Sequence, residues 1–445
     1  MNLIIGIVGL LAVMGWTYLV YRRVDIGLIS LLLGETYYIA FGLNATLLGG
    51  LHLTPPDLVV GTLLLAGIVR TVRISRTLNV DRVIILFCAA ILFFSIARGL
   101  MDFGVTATGN EARAFTGLLA GLIYFATAPV DSEAIRRYVN CYLYFGFALC
   151  VIAGASAAGL PIGIMNWVGA DLAAINGRYL PATGAAALAV CGFLSLAVLQ
   201  YRKNSWVSRI LPVMYLSLAI YLRHRTVWMM LLAGFAAMLI VDPRLFRRVL
   251  PFAGVAIAAV ALIAIYGSDS RGIGGGAQFS DAMSNGQTFA WRVNGWKELL
   301  LDDEQNTLTV AVGKKMGSRF WRVDPVSYQI IDVAPHNEYI QDYLRIGVLG
   351  VLLVLALMLH IVRKLWLLAK YNQESIYPSA SAWAIVVPAL LVYGFTYSIP
   401  PHMYALLGIA CSMTMGANWR ELTTEDTSLQ EWHDEELPDT YGEMA

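Results

Sequence analysis

The residues of this chain with the clearest chemical capacity lie in Ala334-Pro335-His336-Asn337-Glu338-Tyr339-Ile340-Gln341-Asp342-Tyr343-Leu344-Arg345-Ile346-Gly347-Val348-Leu349-Gly350, where a long hydrophilic segment passes into an apolar one that runs to about Ile361. His336 stands at that boundary. An imidazole there titrates near neutral pH and can take a proton from a substrate held at a bilayer surface. The plainer reading is an interfacial histidine that opens a helix. On helical spacing His336, Tyr339/Ile340 and Tyr343 share one face, and Glu338 and Asp342 share another. The two carboxylates either assist His336, by orienting it or binding substrate hydroxyls, or suit the dipole of a helix N-terminus. A second chemical group is cationic: Arg178, Arg223, Arg225 and Arg292. Arginine stays charged and grips oxyanions through a two-pronged fork.

The elements that must position these groups are transmembrane helices. Of 445 residues, 58% are hydrophobic and only 14% charged, against roughly 25% charged in soluble domains, and the mean hydropathy is +0.65. The net charge of +1 gives no reason to expect a nucleic-acid partner. The five cysteines, Cys88, Cys141, Cys150, Cys191 and Cys411, fall in apolar spans with no metal-ligand spacing, and read as small packing residues. The first span lacks a basic leader and is followed by Arg22-Arg23, so it reads as an uncleaved helix.

Apolar runs of crossing length fall near 2–20, 26–48, 57–70, 83–100, 114–130, 138–160, 183–200, 210–223, 226–241, 249–266, 339–361, 379–398 and 403–417, which predicts an all-α bundle of about 12–13 helices. Basic clusters at Arg22/Arg23, Arg70–Arg82, Arg136/Arg137, Arg202–Arg209, Arg244–Arg248 and Arg363–Lys370 fall on one side, which the positive-inside rule makes cytoplasmic. The chain then divides into ten helices over 1–266, a large extracytoplasmic loop over 267–338, C-terminal helices over 339–417, and an acidic cytoplasmic tail over 418–445.

His336 and the isolated arginines fall on the outer side. There, Arg98 has Asp102 at i+4 and Arg113 has Glu111 nearby, which reads as structural ion pairing. Arg178, Arg223 and Arg225 have no close acidic neighbour in sequence and ask for an anion. Within the loop, Gly272-Ile273-Gly274-Gly275-Gly276 reads as a hinge. A helix over about 285–301 carries an apolar stripe of Phe289, Val293, Trp296 and Leu300. Its Arg292 either faces lipid headgroups or stacks on Trp296. Lys314 and Lys315 read as a solvated basic turn, or as a contact to phosphate or acidic sugar. Glu35 is an intramembrane charge that needs a partner or a polar cavity.

His336-Asn337 before an aromatic, with Gly347-Val348-Leu349-Gly350 at the top of a span, resembles the signature of the O-antigen ligase and polymerase superfamily of integral-membrane glycosyltransferases. Three further contexts occur in the family's order, Asn176-Gly177-Arg178, Leu222-Arg223-His224-Arg225-Thr226 and Trp291-Arg292-Val293-Asn294-Gly295-Trp296, and Val312-Gly313-Lys314-Lys315-Met316-Gly317-Ser318 is similar to the family's glycine-containing turn. The resemblance covers about 176–350, and Arg345 stands where relatives often carry a carboxylate.

The resemblance implies a GT-C-like bundle in a bacterial inner membrane, with its active site facing the periplasm. The implied donor is an undecaprenyl-pyrophosphate-linked oligosaccharide, and the acceptor is a glycan in a polysaccharide polymerase or lipid A-core in an O-antigen ligase. His336 would be the base, with Glu338 beside it. Arg178, Arg223, Arg225 and Arg292 would clamp the diphosphate in place of a metal, without a cofactor. A transporter of lipid-linked sugars is the rival from another class. It would call for repeated halves around a midplane site, whereas the polar features here gather on one face.

Overall fold

A computed structural model describes residues 2–42, 45–47, 51–74, 80–163, 179–201, 206–251, 254, 258, 287–301, 306–323, 329–371 and 380–416. Arg178, the 272–276 glycine run, most of the 249–266 span and the 418–445 tail lie outside the described residues.

The chain is all-α. In order come α1 (Asn2–Arg22), α2 (Val24–Phe41), α3 (Pro55–Ile74), α4 (Val80–Ile123), α5 (Ser132–Ala157), α6 (Ala182–Tyr201), α7 (Trp206–Tyr221) and α8 (Arg225–Val241). After these come α9 (Gln287–Leu300), α10 (Thr307–Val312), α11 (Glu338–Tyr371), α12 (Ala380–Gly394) and α13 (Pro401–Gly416). Two antiparallel hairpins, β1 (Ala45–Leu47) with β2 (Leu51–Leu53) and β3 (Trp321–Val323) with β4 (Ile330–Asp332), are the only sheets among the described residues. Among the described residues, four segments are long and apolar enough to cross a membrane: Val24–Phe41, Asp81–Thr127, Ser132–Ala157 and Glu338–Lys370. Shorter apolar helices include Arg225–Val241 and Ala380–Gly394.

Burial separates central helices from peripheral ones. α6 and α12 are apolar all round and enclosed all round, from Ala185 to Leu196 and from Ala382 to Val387 with Trp383 at 0% exposure. Peripheral helices bury one face and turn Phe87, Phe94, Tyr144, Leu232, Leu352 and Leu359 outward, where lipid is the natural solvent. α4 and α13 touch backbone to backbone. A Cβ on Gly408 would lie 2.0 Å from the Gly121 carbonyl oxygen, so any side chain there would push the helices apart.

The basic segments gather at one end of the bundle. Arg70 donates to the carbonyls of Thr127 (2.6 Å) and Tyr21, Arg137 reaches Asp25 at 3.9 Å, and Lys364 pairs with buried Asp81 at 2.8 Å. At the other end, residues 313–317 thread into the bundle as irregular backbone. There the Gly313 carbonyl accepts from Arg98 (2.8 Å), Lys314 N–H donates to the Leu344 carbonyl (2.7 Å), and the Lys314 carbonyl accepts from the Ser95 hydroxyl (3.0 Å). Met316 N–H donates to the Ser95 carbonyl and Gly317 N–H to Glu111. Non-helical backbone at such depth is tolerable because its polar groups find protein partners.

The inserted segment accounts for the break in α11 and for the new partner of Asp102, and other expectations are revised independently of it. The spans expected at 83–100 and 114–130 are two arms of α4, interrupted at Gly104 (φ 72°, ψ −179°). α11 is likewise interrupted at Gly347 (φ 66°), where a Cβ would fall 2.3 Å from the Ala311 carbonyl oxygen, so only glycine lets α10 approach. The ion pairs read from sequence neighbours are also re-partnered. Asp102 pairs with Lys315 of the inserted turn, Arg113 lies 3.8 Å from Asp57, and Glu111 pairs with Arg345. Residues two apart on a helix point to different sides, so Arg113 and Glu111 meet different neighbours. Glu35 faces His402 of α13 at 3.5 Å rather than an arginine.

Candidate functional site

Asn337 organises the site. Its side-chain oxygen accepts from Ile340 N–H (3.0 Å), the N-cap geometry that starts α11 at Glu338. Its amide also donates to the Phe395 carbonyl in the α12–α13 turn (2.9 Å). His336 therefore precedes the helix and does not ride on its face with Tyr339 and Tyr343. It adopts φ 51°, a left-handed conformation uncommon for a side chain of this kind. Such strain persists only where neighbours over-determine it. Here Trp296 donates to the Pro335 carbonyl (2.6 Å) on one side and Asn337 caps α11 on the other.

The 395–400 turn, between α12 and α13, forms the opposite wall. Ser398 bonds Gln341 (3.0 Å), and Ile399 N–H donates to Glu338 (2.8 Å). Thr396 joins three elements: its carbonyl accepts from Arg292 of α9 (3.0 Å), and its hydroxyl bonds that of Thr226 on α8 (2.5 Å). The Tyr397 ring lies 4.9 Å from the Arg292 guanidinium and 6.2 Å from the His336 ring. His336, Arg292, Tyr397, Thr396 and Thr226 are thus brought together from four distant parts of the chain. Arg225, one residue from Thr226, opens α8 at this corner.

The amphipathic helix expected over 285–301 is α9, but Arg292 points into the protein. It stacks on Tyr397, while Arg322 is the arginine that stacks on a tryptophan, 3.9 Å over Trp291. Arg223 is buried with φ 58° and leans toward Tyr221, which stacks on Tyr179. His224 bonds the Leu180 carbonyl at 3.0 Å, so the backbone just after residue 178 is tied to the corner that carries Arg223 and Arg225.

Glu338 has a different setting from His336. Both carboxylate oxygens are engaged, one by Ile399 N–H and the other by the Tyr404 hydroxyl, and the side chain is buried. Asp342, one turn further, is also buried, and its Oδ1 has no hydrogen bond among the described residues. This geometry makes Glu338 a strut for the 395–400 turn. Arg345 is wholly buried, bonded to Glu111 and to the Arg319 carbonyl (2.9 Å).

Electrostatically, His336 is held neutral. Burial first, then the positive charges of Arg292 and Arg322, depress its pKa from the ordinary 6.5 to about 4. A neutral imidazole beside fixed guanidinium groups can accept a proton from a hydroxyl while the cations receive an anion. Tyr397, Thr396 and Arg322 are members that sequence reasoning missed. The signal for the first two was a polar Thr396-Tyr397-Ser398 triplet between two apolar spans. Arg322 carried no comparable signal. Among the described residues, no three His, Cys, Asp or Glu side chains gather as metal ligands. The chain matches no protein-family model and no curated protein.

Proposed function

We propose that this chain is a membrane glycosyltransferase, a polysaccharide polymerase that moves a glycan from a polyprenyl-pyrophosphate carrier to an acceptor sugar hydroxyl at the outer face of a bacterial inner membrane. The observation that carries the reading is the convergence of His336 with Arg292, Tyr397 and the N-terminus of α8, which bears Arg225, at the bundle end opposite the basic loops.

The chemistry has two demands. The acceptor hydroxyl must lose its proton as its oxygen bonds to the anomeric carbon, and the bond from that carbon to the diphosphate oxygen must break with the charge moving onto the leaving group. His336 takes the proton, and Arg292 and Arg225, with Arg178 and Arg223 as further candidates, bind the diphosphate. The free site makes His336 a weak base, with a pKa of about 4. A bound diphosphate offsets the neighbouring positive charge and strengthens that base, so the proton acceptor is activated when the donor arrives. Proton transfer of this kind contributes roughly 10²–10⁴ in rate, and one preorganised charge-stabilising donor about 3–4 kcal/mol.

The test uses purified full-length protein in lipid with a polyprenyl-pyrophosphate oligosaccharide, with and without lipid A-core, following glycan length and attachment. A ladder of lengthened glycan on the polyprenyl carrier is expected. Transfer only when lipid A-core is present would make the protein an O-antigen ligase with the same donor. An intact donor in both mixtures, with a folded protein, would favour the transporter reading.

A further inference from the structure

The last turn of α9 borders a further cavity. Arg292 and Trp296 address the His336 turn, whereas Glu298, on another face of the helix, and Leu299 line a cavity of about 440 Å³ beside the inserted 313–319 turn. That volume lies within the range of small-molecule sites. The cavity is walled by Glu298, Lys314, Ser318, Arg319 and Trp321, with Arg345 also in the lining, giving three cations and one carboxylate.

Buried polar groups stand behind its wall. Arg345 is 0% exposed, and although its Nε and Nη2 serve Glu111 and the Arg319 carbonyl, its Nη1 has no hydrogen bond among the described residues. The Ser318 hydroxyl is buried in the same state. Both atoms lie beneath the cavity wall rather than on it, so the cationic side chains that reach the open volume are Lys314 and Arg319. The frame around them is rigid, since Lys314 is fixed through both backbone groups and the Arg345 guanidinium lies 4.2 Å from the Phe320 ring centroid.

At the mouth, the half-exposed Trp321 ring lies 5.3 Å from the Arg319 guanidinium. The Arg319 ion pair with Asp332 is long, at 3.9 Å, and both partners are solvated, so a tighter oxyanion can displace it. Glu298 accepts from Val323 N–H at 2.9 Å and offers a carboxylate to sugar hydroxyls. An aromatic face, hydroxyl-seeking carboxylate and converging cations together suit a sugar that carries its own negative charge.

We propose that this cavity binds an acidic sugar residue, its carboxylate or phosphate group held by Lys314 and Arg319, and so selects an anionic acceptor glycan. The assignment rests on the glycosyl-transfer reading for the word acceptor, and its test measures binding apart from turnover.

Full-length protein in neutral phosphatidylcholine nanodiscs is titrated calorimetrically with a glucuronate-containing disaccharide, its carboxyl-reduced counterpart and glycerol phosphate. The expected result is binding of the glucuronide, at least about tenfold weaker binding of the reduced sugar, and a similar loss in the double variant Lys314→Gln/Arg319→Gln. Arg345 is left intact because its replacement strands buried Glu111. Equal glucuronide binding by wild type and double variant, or none by either, overturns the site. Glycerol phosphate binding that alone responds to the variant makes it a lipid-headgroup site and also overturns the proposal. Failure of glycan transfer with the binding pattern intact would remove the enzyme reading and leave an acidic-glycan site.

Discussion

Replacing Arg292 with Gln should raise the pKa of His336. The Arg292 guanidinium lies 4.9 Å from the Tyr397 ring centroid and the His336 ring 6.2 Å from the same ring, so the two are at most about 11 Å apart. At an effective dielectric of about 20, unit charges at that separation repel by roughly 1.5 kcal/mol, which is about one pH unit. The His336 midpoint should therefore move from about 4 to about 5, burial and Arg322 keeping it below the ordinary 6.5. The assay is a titration of ¹³C-labelled histidine by NMR in nanodiscs, with the His336 resonance identified by its loss in His336→Gln. Inorganic pyrophosphate added to wild type should raise the midpoint in the same direction. An unchanged midpoint in Arg292→Gln would refute the electrostatic coupling. A wild-type midpoint near 6.5 would refute the buried, cation-flanked setting. The same shift has a stability consequence of defined sign. Because the fold disfavours the charged ring, wild type loses stability relative to His336→Gln as pH falls from about 6.5 to about 4, by up to ~3 kcal/mol, and shows no such difference above that window.

His336→Ala should abolish glycan transfer while the protein still inserts; His336→Asn, which tolerates the left-handed backbone, should do the same, and retained turnover in either removes the imidazole from the chemistry. Arg225→Lys should lower kcat on the order of 10²-fold, because a point charge does not reproduce the guanidinium fork, and full activity would show that Arg225 only opens α8. Glu338→Ala leaves Ile399 N–H and the Tyr404 hydroxyl without an acceptor and should destabilise the fold by about 3 kcal/mol in thermal unfolding. Glu338→Gln should keep most of the stability and transfer; a dead but stable Gln variant would return Glu338 to a direct part in the chemistry. Glu111→Gln strands buried Arg345 and should cost about 3–5 kcal/mol in the same assay, whereas an unchanged melting temperature would mean that the pair carries no stabilisation.

The sequence by itself determined that this is an all-α chain with helices long and apolar enough to cross a membrane, because apolar length and the scarcity of charge are properties of composition and order. It also marked the helix carrying Arg292 and the boundary carrying His336-Asn337, since amphipathic spacing and an N-cap residue are local signals. Only the tertiary structure decided which charges meet. Glu111 passes over nearby Arg113 for Arg345, 234 residues away, and Asp102 takes Lys315, 213 residues away. Arg292 turns from the expected bilayer surface to Thr396 and Tyr397. The α11 break was hidden for a related reason. Gly347 looks like an ordinary glycine in an apolar helix until the 307–317 segment packs against it, and no local rule says which glycine another backbone will approach. In a medium that supplies no water to unpaired groups, each polar atom takes whichever partner the packing brings, and packing is long-range.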